Sequence, residues 1–589
     1  MRSLVGYWKL RGDCRDYSVN RNHGTNRGVV FAGGDGSVGV FNGANAYVEV
    51  PDCPAIRLGA SDFAISVWVH TEKHPDGVIG DVLDLYDPAA RRGVTLTIDP
   101  GGAGYQGPGS DRRVHFGIDN AREGAWEDCG RPNPKSKYVS NSLTVYKGRL
   151  YTGTSGGRNS KDWAHVYRYE GGREWTDCGR VGDGRTTGVG PLIVHNGELY
   201  AVTSTYDWTR VLSRRLGYEP GRVYRYEGGQ KWADCGAPSE NRTPNCAVSY
   251  NGKLYVGGGP DTWGVFVQDG RGRWKASALF PREGNRRCFP HAMGRYHGKL
   301  VVCFPCVYMF DGAEWTYAGV PVGREADYYL QSHTLAVHQG NLLVGTWPDG
   351  IVARHVGGEE WQAMGRVGRD GTEVMDLLVY NGKLYGCSIP RAEVCRYDGG
   401  PAWTSLKRFH SPKGWTPVPP KKATPAQVKE WARVTSMTIY DGKLFAGTGN
   451  CTSSVLDSPE NETLGRVFCL DAGRVASDGH DLGPGWKHIA AVREKGLLKL
   501  YTNGRLAAVS APFDPADYDI TTGRPLRIGF GQTDYFRGKI AELRLYNRAL
   551  GESEIAQLAA APSSCRFVAP GFVAARMDVS DLTCAPLLE

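Results

Sequence analysis

Apolar and polar residues alternate with a period of two along most of the chain, in short runs cut by glycine-containing turns. This is the pattern of strands with one buried face, not of amphipathic helices. One such unit recurs: Leu143 to Tyr151 (LTVYKGRLY), Leu192 to Tyr200, Ala247 to Tyr255, Met293 to Val301, Leu335 to Leu343, Leu377 to Tyr385 and Met437 to Phe445. Each carries Lys-Gly, Asn-Gly, His-Gly, Gln-Gly or Asp-Gly between its apolar stretches. Glycine supplies the positive φ that a two-residue hairpin turn needs, so each unit predicts two antiparallel strands.

A second phrase follows in step with the first. His165 to Gly172 (HVYRYEGG) leads to Trp175-Thr176-Asp177-Cys178-Gly179, the same words return from Val223 to Gly236, and looser copies of the tryptophan stand at Trp274, Trp315, Trp361 and Trp403. The tryptophans are roughly 40 to 57 residues apart, the period of a β-propeller blade. Each blade then has two inner strands, a V-Y-R-Y-like third strand and an outer strand with the tryptophan. The last unit lacks its tryptophan strand, because the sequence changes character after Val467-Phe468-Cys469-Leu470-Asp471. A matching strand, Ala125-Trp126-Glu127-Asp128-Cys129-Gly130, lies upstream of the first unit. Pairing it into the last blade predicts a closed, seven-bladed β-propeller over residues 123–478.

The flanks carry shorter alternating strands separated by Gly, Asn and Asp turns, a β-sandwich pattern. On the N-terminal side these are Val5 to Leu10, Asp16 to Thr25, Phe41 to Pro51 and Phe63 to Val69. After the repeats come Gly485-Trp486-Lys487-His488-Ile489-Ala490, Leu498-Lys499-Leu500-Tyr501-Thr502-Asn503-Gly504, Leu526 to Gly529 and Phe536 to Leu550. These words resemble the two halves of a LamG-like, concanavalin A-like jelly roll, including its W-x-H-x-A strand, L-Y-x-N-G hairpin and closing Y-x-R-A-L strand. The expected fold is therefore all-β: a seven-bladed propeller inserted into a jelly-roll sandwich. Its first half is expected over 1–122, its second half over 479–561 with a short helix from Glu552, and a tail over 562–589. An insertion of this kind costs little, since a closed propeller has its two ends side by side.

Composition narrows the function classes. A formal charge of +8 over 589 residues, with Lys and Arg scattered, does not mark a nucleic-acid binder but suits an anionic polymer. No apolar run is long enough for a membrane span, and Met1 to Trp8 leads into a strand without a signal peptide. The expected compartment is extracellular or periplasmic if a leader has been removed, and otherwise cytoplasmic. Cys129, Cys178 and Cys235 recur at one place in the repeat and read as buried thiols. Cys303 and Cys306 form a C-x-x-C with no second pair at finger spacing. No phosphate-binding loop, dinucleotide fingerprint or nucleophile elbow occurs.

Candidate chemistry lies at the mouth of the propeller channel, lined by the start of each innermost strand. One residue per blade falls there: Asn141, Gly190, Asn245, His291, His333, Met375 and Thr435. The two histidines belong to adjacent blades, as an acid/base pair or a divalent metal site would need. Arg286 and Arg287 precede His291, and Tyr328, Tyr329 and Gln331 precede His333. Arg, Tyr and His converging on one mouth suit an anionic sugar. Arg287 would clamp its carboxylate, His333 or Tyr329 would be the base and His291 the acid, with Asn141, Asn245, Gln331 and Trp347 as saccharide contacts. Inner-strand histidines that merely bond backbone carbonyls are the bland alternative. The chain is similar to ulvan and oligogalacturonate lyases in expected blade number and in these residue types, a fold-level analogy. The S-x-D-x-G-x-x-W box of sialidases is absent from the blades. For the sandwich, the resemblance implies glycan or protein binding and could include calcium, with Asp13, Asp16 and Asp534 as available oxygens. The readings left open are an acidic-polysaccharide lyase, a glycoside hydrolase, and a non-catalytic recognition or scaffold protein. Two long excursions, Tyr206 to Pro220 and Phe409 to Trp431, could add recognition surface.

Overall fold

The computed structural model describes residues 3–32, 38–102, 106–156, 160–205, 219–240, 243–259, 264–269, 272–280, 290–322, 330–412, 415–419, 422–424, 427–428, 430–450 and 462–560. The inner hairpin turns form as the alternation predicts. Lys147, Asn196, Asn251, His297, Gln339, Asn381 and Asp441 have φ between 46° and 49°, and each is followed by a glycine at positive φ. Two successive left-handed residues match the twist of the strands they join.

Six propeller blades stand as separate four-stranded antiparallel sheets. Blade 1 begins with the inner strand Val139–Tyr146, blade 2 with Gly188–His195, blade 3 with Thr243–Tyr250, blade 4 with Ala292–Tyr296, blade 5 with Gln331–His338 and blade 6 with Glu373–Tyr380. The expected count of seven is corrected to six. The upstream strand does pair as expected, Phe468 opposite Asp128 and Leu470 opposite Trp126. However, Arg113–Asp128 has 16 residues and Val467–Ser477 has 11, and their pairing continues past the propeller to Ala476 opposite Phe116. The four strands Ala432–Tyr440, Lys443–Asn450, Val467–Ser477 and Arg113–Asp128 are therefore one end of a nine-stranded sheet. Its other end, through Arg92–Asp99, Gly80–Asp87, Leu526–Ile528, Tyr47–Val50 and Thr25–Arg27, is one face of the sandwich.

The second sandwich sheet has eight strands. In its order Val38–Asn42, Arg537–Tyr546, Phe63–Thr71, Gly485–Glu494, strands from before and after the propeller alternate. Between the sheets lies a core containing Trp8, Phe41, Phe63, Phe116 and Phe536, all essentially buried. The helix Glu552–Ala559 places Ile555 and Leu558 against Ala64, Ala490 and Tyr501 on the outer side. Among the described residues no helix is long and apolar enough to cross a membrane.

The repeated W-x-D-C-G words have a physical role. Trp175 Nε1 donates to Cys129 O at 2.8 Å, Trp232 to Cys178 O at 2.9 Å and Trp274 to Cys235 O at 2.9 Å. Each outer strand is thus pinned to the outer strand before it. The aspartates Asp128, Asp177 and Asp234 accept from the backbone N–H two residues on, at Gly130, Gly179 and Gly236, each at 2.8 Å. Glycine is required because φ is positive and the next blade is close: a Cβ at Gly179 would lie 2.6 Å from Gln230 O. Trp361 and Trp403 make the same bond to Ala318 and Met364. Trp232→Phe removes one such bond with little apolar area, and a loss of about 1–2 kcal/mol is expected in chemical denaturation. An unchanged midpoint would show that the indole N–H contributes nothing across blades.

The sandwich seats against the hairpin-turn side of the propeller. A Cβ at Gly252 would meet His74 at 2.8 Å, at Gly340 Tyr535 at 2.5 Å, and at Gly382 Tyr86 at 2.7 Å. Arg295, buried in blade 4, donates to Pro75 O and Ser249 O at 3.1 Å each, and His338 Nδ1 lies 2.8 Å from Gln532 O. Lys383 pairs with Asp119, which also accepts from Tyr86 OH at 2.6 Å. Burial pushes the Lys383 ammonium down, and Asp119 opposes this.

Candidate functional site

Of the residues expected at the mouth, all but His291 occupy a recurring irregularity. The pairing of the first two strands skips one residue between Pro244 and Cys246, between Ser332 and Thr334, between Val374 and Asp376, and between Val434 and Ser436. The skipped residues are Asn245, His333, Met375 and Thr435. Gly190 falls in the matching gap of blade 2, and Asn141 in that of blade 1. A bulge turns a side chain off the alternation of its strand, which is how an inner strand can aim a residue at a central mouth.

His291 precedes the inner strand of blade 4, with its N–H donating to Cys303 O at 2.9 Å. The His291 and His333 rings lie 4.4 Å apart, centroid to centroid, inclined by 30°, and each residue is 4% exposed. His333 Nδ1 is 3.0 Å from Glu373 Oε1, and its Nε2 is 2.6 Å from Gln331 Oε1. Burial, with the Arg433 cation adding to it, pushes the His333 imidazole down to about 3. Burial and then His333 hold His291 well below the ordinary histidine value. Glu373 moves up through burial, opposed by Arg433. Both rings are therefore neutral, and Nδ1–H of His333 donates to Glu373. Its Nε2 is then a lone pair, and serving it requires the Gln331 amide turned over so that its N–H faces Nε2 in place of Oε1.

Asp376, immediately after a bulge, fixes the wall beside this group. It accepts from Leu377 N at 2.9 Å, Met437 N at 2.7 Å and Thr334 Oγ1 at 3.4 Å, tying blades 5 and 6 to the shared sheet. Burial raises its carboxyl to about 7. Trp347 pairs with Gln331 at the end of the second strand of blade 5 and is half-buried, as are Asn245 and Gln331. The side chain of Asn141 and residues Arg286, Arg287, Tyr328 and Tyr329 lie outside the described residues, as does most of the excursion after Tyr206. In the other excursion Phe409 and Trp431 are buried, with Phe409 stacked on Phe468 at 4.4 Å.

Sequence reasoning missed Glu373 and Arg433. Both stand two residues before their bulge residue, the offset that Gln331 has from His333. That shared offset was the available signal. Arg433 Nη1 lies 3.9 Å from Met375 Sδ.

Among the described residues no group of three or more His, Cys, Asp or Glu side chains could hold a metal ion. Asp16 accepts from Tyr7 N, Ser18 N and Asn22 N, each at 2.8 Å, and Asp13 from Arg15 N and Tyr17 OH. These two carboxylates are turn-forming, and Asp534 sits elsewhere, beside Asp81 and His297. Cys129 and Cys178 are buried free thiols, and Cys235 is half-buried.

Fold and site together define an all-β protein that joins a β-propeller to a concanavalin A-like sandwich. Residues 428–556 match the model of the concanavalin A-like lectin/glucanase superfamily, a stretch that takes in four strands of the shared sheet and most of the second sandwich half. No curated protein sequence matches the chain. Among solved structures, virginiamycin B lyase from Staphylococcus aureus is similar at 9% identity over 59% of this chain and 99% of its own, with a TM-score of 0.39. A gluconolactonase from Xanthomonas campestris is similar at 12% identity over 68% of this chain and 98% of its own, TM-score 0.30. Domain 4 of the arabinanase AbnA from Geobacillus stearothermophilus shares 32% identity over 13% of this chain and 35% of its own, TM-score 0.11. Nothing about this chain's chemistry follows from likenesses of that size.

Proposed function

We propose that this is a carbohydrate-active protein whose sandwich binds saccharide and whose propeller mouth acts on an acidic saccharide by proton abstraction next to its carboxylate. The observation that carries the reading is the series Glu373, His333, His291: a carboxyl orienting one neutral imidazole, and a second imidazole 4.4 Å beyond. A neutral, oriented imidazole is a base ready to accept a proton. In this reaction His333 takes the proton from the carbon bearing the carboxylate, the electron pair forms a carbon–carbon double bond, and the neighbouring glycosidic C–O bond breaks. The proton that His333 has taken is returned to the departing oxygen, with His291, 4.4 Å away ring to ring, as the relay. Gln331 yields its place on Nε2 to the substrate. Arg433 supplies a cation beside the pair, and Arg287 is a further carboxylate clamp; Tyr329 is the alternative base. Asn141, Asn245 and Trp347 are the proposed saccharide contacts, with residues 123–478 as the propeller region and 1–122 with 479–561 as the sandwich.

The test is incubation with uronate-containing polysaccharides, with and without a chelator, following the ultraviolet absorbance of the unsaturated product and the product sizes. Shorter chains without new absorbance would replace the lyase with a hydrolase, and intact chains would leave a binding protein. The pH profile is a second check. A base held down to about 3 is deprotonated through the whole range above that value. The acid limb of kcat/KM should thus fall well below the ordinary histidine pKa of about 6.5. A limb near 6.5 would contradict a buried base.

A further inference from the structure

The geometry points to a blind well at the mouth that admits one terminal saccharide unit, so that the protein works on chain ends and not on the interior of a polymer. This rests on the reading of the mouth as a saccharide site. The observation is a sandwich segment, Gln106 to Arg113, which enters the propeller from the hairpin-turn side and closes that end. Gln106 bridges in parallel to Ala247 of blade 3. Gly107 N donates to Ala247 O at 2.8 Å, Ser249 N donates to Pro108 O at 3.1 Å, and Ser110 N donates to Val194 O of blade 2 at 2.9 Å. Arg113 Nη1 reaches Ile439 O in the shared sheet at 3.4 Å. The segment therefore bonds to innermost strands from three parts of the ring.

Its contact is close enough to exclude a bound chain. A Cβ at Gly107 would lie 2.5 Å from Met293 O of blade 4 and 2.7 Å from Ala247 O, and one at Gly109 would lie 2.9 Å from Val194 O. Gln106, Asp111, Arg112 and Arg113 are all buried. Arg112 is anchored in turn by Asp481 and by the backbone carbonyls of Glu72 and Lys73. The plug is held by the sandwich through charge-assisted hydrogen bonds and is part of the folded core.

The depth left above it follows from register. In blade 3 the mouth residue is Asn245 and the plug is met at Ala247, and in blade 4 the corresponding residues are His291 and Met293. Two residues of strand rise amount to about 7 Å, room for one pyranose ring in depth. An interior unit of a polymer carries glycosidic bonds on two sides and needs two ways out. A terminal unit needs one, and the plug leaves one. His291 and His333 are each only 4% exposed, so the reacting unit must enter the well to reach them.

The experiment is a time course on a long, soluble uronate polysaccharide, recording solution viscosity and product sizes together. The expected result is the smallest unsaturated product from the first time point, with viscosity almost unchanged while most of the polymer remains. Early collapse of viscosity with a ladder of intermediate sizes would overturn the chain-end proposal while leaving the acid–base reading intact. Failure to cleave any uronate substrate would instead sink the reading beneath it, and the chain-end proposal with it. A binding readout uses the His333→Ala variant, in which turnover is lowest: affinity for oligomers of increasing length should stop rising beyond the shortest ones. Affinity that keeps climbing with length would show contacts beyond a single well and overturn the proposal.

Discussion

His333→Ala is expected to lower kcat/KM on an acidic saccharide by about 10²–10⁴-fold, the usual contribution of a positioned acid or base. The same change costs the fold little. Glu373 would lose its partner, but burial raises its carboxyl and the Arg433 cation beside it opposes this. Glu373→Gln is the sharper companion. It keeps the shape and a hydrogen-bond partner for Nδ1, yet removes the carboxyl that fixes the ring's tautomer. A smaller loss, on the order of tenfold or more, is expected there because catalytic geometry depends on such supporting bonds. If both variants retain full turnover while their unfolding midpoints match the parent's, the mouth histidines are channel packing and the catalytic reading fails. If turnover falls only in proportion to folded protein, the effect is structural and the reading fails equally.

Lys383→Met should cost about 3–5 kcal/mol, because it leaves the Asp119 carboxylate buried and opposed by no cation. Asp119 is fully buried between the sandwich and blade 6, and Lys383 is 3% exposed in its side chain. Tyr86 OH remains as one donor to Asp119 at 2.6 Å, which is not enough to balance a charge taken out of water. The double variant Lys383→Met, Asp119→Leu should recover most of the loss, since a buried ion pair is roughly matched by apolar residues of similar volume. Chemical denaturation of the four proteins gives the coupling directly. A double variant whose loss equals the sum of the two single losses would show that the two residues act independently, and that the seat between propeller and sandwich does not depend on their pairing. The location matters: Lys383 follows the inner turn of blade 6, and Asp119 lies on the long strand shared by both parts of the molecule. A loss felt by one part only would appear as two separate transitions.

The site was partly legible in the sequence. His291 and His333 could be placed side by side because each hairpin repeats its apolar register, and counting back from that register reached the bulge residue in blades 3, 5 and 6 and in the shared sheet. Glu373 and Arg433 escaped because an isolated Glu or Arg at a strand start looks like any solvated charge. Only the ring of blades turns that offset into a neighbour of His333. The plug escaped for a related reason. Gln106-Gly107-Pro108-Gly109-Ser110 has the composition of a surface turn, and the residues that receive it, Val194, Ala247 and Ser249, lie in strands far along the chain.

What the sequence determined by itself was local and periodic. Lys-Gly and Asn-Gly turns have one low-energy way to join twisted strands, and W-x-D-C-G encodes a bond to the preceding outer strand together with its own Asp-to-Gly turn. Those rules fixed the all-β class and the blade unit, and the resemblance to a LamG-like jelly roll supplied the two halves of the sandwich. The tertiary structure decided the rest. It joined Arg113–Asp128 to Val467–Ser477, partners more than three hundred residues apart, and by extending their register past the propeller made one nine-stranded sheet where a separate seventh blade was expected. Strand pairing over such distances depends on which edges the completed blades leave open and on how far two backbones can stay in register. Neither quantity is carried by the alternation of the residues themselves.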